Sequence, residues 1–338
     1  MKKYSLLAIV FLLVTLTCRA QIVNIPDINF KNALIKKGID KNKDGKIQLT
    51  EAALVKQLDV SSKSIADLTG IESFTALTKL NCNTNQMTTL DVSKNTALTL
   101  LDCSINQLTT IDVRKNTSLT YFFCTQNQLD SLDVSNNTGL LALRCLDNKI
   151  TALDVSKNIY LYSLDCESNR ITSLVISNNK ELTELNCRRN KLKELDVSKN
   201  IALKKLNCHY NRLTTIDLSN NTALTVLDCS GNKLATLDLT KNTALEDVNC
   251  CSNHMTAIDI SKNIALKDLF CPDNLYAMLD ISKNIALVNF KCSDNPNLKK
   301  ICINATQAKL TQPAADNWKT DADNWAKDPT AEWSVDCK

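Results

Sequence analysis

The stretch Leu98-Thr99-Leu100-Leu101-Asp102-Cys103-Ser104-Ile105-Asn106-Gln107-Leu108-Thr109-Thr110-Ile111-Asp112-Val113-Arg114-Lys115-Asn116 decides the fold, because its pattern returns every 21 residues. Cysteine marks the period, from Cys82 and Cys103 through to Cys292. Five residues before each of these cysteines stands Leu, and three residues after it stands Asn, from Asn85 to Asn295. A second Asn follows thirteen residues after, from Asn95 to Asn284. An earlier unit places Leu58 and Val60 in the Leu and Cys columns, 22 residues before Leu80 and Cys82, which brings the total to about twelve units.

A fixed short period of this kind excludes most folds. Text such as Leu-Asp-Val-Ser-Lys-Asn has no helical character, so a coiled coil is out. The alternations Leu-x-Cys and Leu-x-Val predict short strands with one buried face. One 21-residue unit cannot enclose a core, but stacked units bury Leu, Cys, Ile and Val in continuous columns. Asn suits both turns, because its side chain bonds to backbone groups that the bend leaves unpaired. At about 4.8 Å per strand, the eleven Cys-bearing coils rise roughly 50 Å.

These columns match Leu-x-x-Leu-x-Leu-x-x-Asn-x-Leu with Cys in the third apolar place. The chain resembles the leucine-rich repeat proteins, and in particular the cysteine-ladder branch of the bacterial internalin-type proteins. Ile65-x-Asp67-Leu68-Thr69-Gly70-Ile71-Glu72 is similar to internalin repeats as well. The resemblance covers about Leu58 to Leu298. It implies a curved right-handed solenoid with a parallel sheet on the concave face, and a secreted or surface-held binding protein. It carries no ligand across, since such repeats bind many unrelated partners.

Composition agrees. The 338 residues are 44% apolar, enough for a core, and five Gly exclude a glycine-rich fibre. The net charge of +4 is concentrated at the start, where Lys2, Lys3 and Arg19 stand without an acid; taking those three from 40 leaves 37 basic against 36 acidic residues. No basic surplus remains for nucleic acid. Lys2 and Lys3, the apolar run Leu6 to Leu16 and Ala20 describe a cleavable export signal over residues 1–20. The rival reading lipidates Cys18, but Thr15-Leu16-Thr17 lacks the small residue expected before such a cysteine. No second membrane-length run follows, so the expectation is a monomer, secreted or held at the cell surface, without a transmembrane segment.

Three segments are expected after the signal: a helical cap over 21–57, the solenoid over 58–298 and a C-terminal cap over 299–338. In register on a parallel sheet, ladder β-carbons sit near the strand spacing of about 4.8 Å, beyond the roughly 3.8 Å of a disulfide. The ladder thiols are therefore expected to be buried and free. Cys251 follows a ladder Cys and should point outward, either incidentally or to pair with another chain. Cys302 and Cys337 stand outside the ladder and are expected to join, closing the C-terminal cap.

Ile28, Phe30, Leu34 and Ile35 have helical spacing. After them, Asp40-x-Asn42-x-Asp44-Gly45-x-Ile47-x-x-x-Glu51 matches the twelve-residue EF-hand calcium loop. Asp40, Asn42, Asp44, the Lys46 carbonyl, Gln48 and Glu51 would supply hard oxygen to a structural calcium ion. Only one such loop is present, where EF-hands usually work in pairs, and a metal-free polar cap is the alternative. At the other end, Asp316-Asn317-Trp318 and Asp323-Asn324-Trp325 repeat at seven residues, which predicts both rings on one helix face, covering the last coil or stacking on sugar.

Residues three before, one before and one after each Cys should face outward on the sheet. In the N-terminal half these include Leu100, Tyr121, Phe123, Ala142, Arg144 and Leu146. Aromatic rings beside Arg are common interface anchors, so Leu100, Tyr121, Phe123, Arg144 and Leu146 form the candidate ligand site. The expected function is recognition of an extracellular protein or glycan through the concave face. A structural surface or matrix protein without a discrete ligand is the alternative. An enzyme is not expected, since His209 and His254 stand two coils apart in different columns.

Overall fold

The computed structural model describes residues 21–310 and 325–336. The expected signal at 1–20 with Cys18, and also Trp318 and Cys337, lie outside the described residues. Each repeat contributes a strand that ends at or just before its ladder cysteine, as in Leu100–Asp102 and Tyr121–Phe123. Alternation sends Leu101 and Cys103 inward, where both are fully buried. Neighbouring strands pair parallel and in column: Leu100 lies beside Tyr121, Leu101 beside Phe122 and Asp102 beside Phe123.

Among the described residues, thirteen strands make one continuous sheet. The first, Gln57–Asp59, sets Leu58 against Leu80, so the early 22-residue unit joins in register. The last is Trp325–Lys327, which pairs with Asn289–Cys292. This corrects the helix expected around Trp325: with Phe290 directly opposite, the open sheet edge offers backbone partners, and those decide the conformation. Trp325 Nε1 donates to Val288 O at 2.8 Å, and the ring packs 5.6 Å from Phe290 and 5.8 Å from Trp333. Both described tryptophans therefore seal the end of the core.

The opposite wall departs from the expectation of regular Leu-x-Val strands. Among the described residues, Leu153–Asp154 pairs with Leu174–Val175, and Met278–Asp280, Lys300–Cys302 and Glu332–Ser334 form a second short sheet. In most other coils Leu-x-Val is buried without a strand ladder. Coils that hold the hydrogen-bonding distance on one wall and part on the other describe an arc, with the continuous sheet on its concave side.

The two Asn columns carry the turns. Asn127 Nδ2 donates to Cys124 O and, one coil earlier, to Cys103 O, each at 3.1 Å, while its Oδ1 accepts from Leu108 N at 3.0 Å. Asn137 Nδ2 donates to Val113 O at 3.0 Å and Asn116 O at 2.9 Å. Each side chain thus fastens its own coil to the one before. The second column would continue at Ala305, and there Gln307 substitutes: its Nε2 donates to Ile281 O and Asn284 O, both at 3.0 Å.

The ladder cysteines from Cys82 to Cys292 are buried and free, and burial pushes their thiols upward, to about 12 for Cys187. Cys251 is free and half-buried, also at about 12 through burial. Cys302 is buried at the end of its strand. At the N-terminus, helix α1 (Ile28–Lys36) buries Phe30 and Leu34 against the first coils. Asp27 caps it by accepting from Phe30 N, and its other oxygen accepts from Ala66 N and Asp67 N, which ties the cap to the solenoid. A short helix α2 (Leu49–Ala52) follows the Asp40–Glu51 loop and contains its last acid.

Candidate binding face and its relatives

The strands bring most of the expected patch together on the concave wall. Leu100 and Tyr121 are register partners, as are Phe123 and Arg144. The rings of Tyr121 and Phe123 lie 6.4 Å apart, and the Arg144 guanidinium sits 5.4 Å from the Phe123 centroid, a cation–π distance. Leu146 lies half-buried just past the ladder cysteine of the same coil. Ala142, expected to face outward, is 5% exposed, because a methyl group beside Tyr121 is covered by its larger neighbours. Tyr162 joins the patch unannounced by the sequence columns: its hydroxyl is raised first by burial and then by the adjacent Tyr121.

From Arg144 to Phe270 the same wall is hollowed into a groove of about 450 Å³. Its floor is acidic and amide-rich, with Asp165, Asp228 and Asp247 among Asn186, Asn207 and Asn249. Burial raises Asp247, and the like charges of Asp268 and Asp228 raise it further. Burial also raises Asp165, against the hydrogen bond it accepts from the Glu167 amide. The nearby cations are largely spoken for: Lys205 pairs with Glu184 at 2.9 Å and Arg188 with Glu167 at 2.7 Å. The groove therefore holds negative charge that the chain itself does not neutralise.

His209 stands beside the groove with a serine neighbour that its own coil does not reveal. Its Nδ1 contacts Ser230 Oγ, and Ser230 Oγ donates to Asp228 Oδ1 at 2.5 Å. The serine hydroxyl donates to the carboxylate, so this chain of contacts orients Asp228 beside the groove. Burial lowers His209, against the pull of Asp228. Tyr210 stacks on His209 at 3.9 Å, and Gly231 makes the room: a Cβ there would meet the Tyr210 ring at 2.3 Å.

The expected calcium residues do form one loop. Asp40 Oδ2 accepts from Gly45 N at 2.9 Å, Asn42 Oδ1 from Asp44 N at 3.0 Å, and Asp44 from Lys46 N and Gln48 Nε2, both at 2.9 Å. Glu51 turns its carboxylate onto Lys41 N at 2.7 Å and Gln48 N at 3.0 Å. Among the described residues no three His, Cys, Asp or Glu side chains converge as a ready metal cluster.

The comparisons with known proteins fall on this architecture. The family model for leucine-rich repeats in two copies matches residues 201–241. The functional domain of InlJ from Listeria monocytogenes, which includes a cysteine ladder, is 37% identical, with a TM-score of 0.76 over 84% of this chain and 71% of that one. This chain belongs to the internalin family. Internalin J of a Listeria monocytogenes serotype 4b strain is 41% identical over 70 residues, a stretch that is 21% of this chain and 8% of that protein. An internalin, inlF, of the same species matches at 22% identity and TM-score 0.69, over 94% of this chain and 100% of that one. A leucine-rich repeat protein of Leptospira interrogans matches at 21% and 0.67, over 83% and 72%. These last two speak for the fold alone. Among the described residues no helix is long and apolar enough to cross a membrane.

Proposed function

We propose that this internalin-like chain is exported and recognises an extracellular protein through its concave wall. The observation that carries the reading is the juxtaposition of the Tyr121–Phe123–Arg144 patch with the acidic groove that begins at Arg144. Aromatic rings and Arg anchor protein interfaces. Asp165 and Asp247, both raised first by burial, suit a basic side chain on the partner, which would compensate their desolvated charge and, at Asp247, offset the repulsion from Asp268 and Asp228. A rigid sheet gives this surface little to lose on ordering. Export is supported by residues 1–20 and by internalin kinship.

The test is an array of extracellular proteins and glycans probed with the purified chain. One saturable protein partner is expected. Tyr121→Ser with Phe123→Ser should weaken that binding about a hundredfold, the scale of interface anchors, with little change in melting temperature. Asp247→Asn should weaken binding while raising stability, because it removes a carboxylate whose charged form folding disfavours. A glycan as the only saturable ligand, or binding indifferent to all three substitutions, would remove the proposal.

A further inference from the structure

The N-terminal cap holds a buried carboxylate oxygen with nothing to bind. Asp40 is 8% exposed, and its Oδ1 is buried without a hydrogen-bond partner. Its Oδ2 reaches across the loop to Gly45 N, which directs the carboxylate into the loop. A charged oxygen kept from water is costly unless a cation meets it. The groups around it are hard oxygen donors: Asn42, Asp44, the Lys46 carbonyl, Gln48 and Glu51 stand at the spacing of a calcium loop. Lys43 at φ 62° and Gly45 at φ 76° supply the sharp turn that brings them round.

A single loop of this type lacks a second to pair with, and here another part of the chain takes that place. Val23 N donates to Ile47 O and Leu49 N donates to Gln21 O, each at 2.8 Å, with Ile22 opposite Gln48 in an antiparallel bridge. The segment Gln21–Val23 thus pairs with the stretch of loop between its ligand positions. It leads directly to Asp27, which holds Ala66 and Asp67 of the first coil.

We propose that the Asp40–Glu51 loop binds one calcium ion and that Gln21–Val23 is its β partner, so that the ion locks the N-terminal segment and cap onto the solenoid. Asp40 Oδ1 is the oxygen waiting for the ion. Glu51 completes the shell by turning from the Lys41 amide, and its place at the start of α2 carries the change into the cap. Calcium suits a set of many flexible oxygens better than magnesium, which demands a tight octahedron. Lys41, Lys43 and Lys46 flank the acids, so affinity belongs to the weaker extracellular range of about 10⁻⁴–10⁻³ M.

The experiment is calorimetric titration of the chelator-treated chain with calcium chloride, alongside melting curves. One ion per chain is expected, with a rise in melting temperature. Glu51→Gln and Asp40→Asn should weaken binding more than about tenfold, and Val23→Pro, which removes the donor to Ile47 at a distance from the ion, by about tenfold as well. Circular dichroism without calcium checks that each variant is folded. No heat and no melting shift at about 10 mM calcium, well above that affinity range, would overturn the site. An equal response to magnesium would overturn the choice of ion, and undiminished binding by folded Val23→Pro would overturn the coupling.

Discussion

At the residue scale, the repeat makes one position pay for the geometry of all the others. The residue two after each ladder cysteine has positive φ, from Thr84 at 54° to Asp294 at 60°. That backbone lets the following Asn turn inward, and Gly, Asn or Asp accept it with least strain. Ile105 sits there at φ 54° and 46% exposed, where a β-branched side chain is a poor fit. Ile105→Asn should therefore stabilise the chain by about 1 kcal/mol, read as a higher denaturant midpoint. A lower midpoint would show that Ile105 is held by contacts stronger than its strain. The Asn columns, the inward cysteines and the outward Tyr121, Phe123 and Arg144 were legible because a 21-residue period makes every departure visible. Tyr162 was not, because it stands in a column that half of the other coils fill with Thr, whose side chains bond to the preceding coil, as Thr120 Oγ1 does to Thr99 O.

At the scale of elements, the two walls obey different rules. On the concave side the strand ladder is complete; on the convex side Asp takes over the work of closing turns. Asp133 Oδ1 accepts from Ser135 N at 3.0 Å and Asp154 Oδ1 from Ser156 N at 2.8 Å, and the motif recurs at Asp196, Asp217 and Asp259. The serine hydroxyl and amide hold Asp133 and Asp196 below the usual carboxylate range, with the hydroxyl foremost, and the amide foremost holds Asp154, Asp217 and Asp259 there. A carboxylate with a lowered folded pKa adds stability above its unfolded value, near pH 4, and loses it as the pH falls toward the folded value. Each is exposed and individually weak, but the column is long. The melting temperature should fall steadily between about pH 5 and pH 3; a flat profile would mean the turns stand without these charges. Protonation of Asp165 and Asp247 works in the opposite direction, being favoured by folding, and involves only two groups. Sequence alternation foresaw strands on both walls because it reports burial alone, and cannot tell paired backbone from backbone that is merely covered. The same blindness turned Trp325 into a helix: seven-residue spacing fits one, but the exposed edge at Asn289–Cys292 imposes a strand.

At the scale of the whole molecule, stacking supplies both rigidity and a gradient of surface character. Columns that must pack are nearly invariant, so variation is confined to the walls, and there the aromatic patch gives way to the acidic groove. The ends show how such a stack is closed. Gln307 fills the missing rung of the second Asn column, and Asp328 accepts from Asp294 N and Asn295 N, both at 2.8 Å. Neither role was visible in the sequence, since each residue acts from outside the period. The central claim, that the concave wall is where a partner sits, is tested most directly by hydroxyl-radical footprinting of the chain free and in complex. The account predicts that labelling of Tyr121, Phe123 and Phe270 falls on binding while Ile201, 63% exposed and far from the concave columns, is labelled as before. Protection of Ile201 with Tyr121, Phe123 and Phe270 unchanged would contradict it.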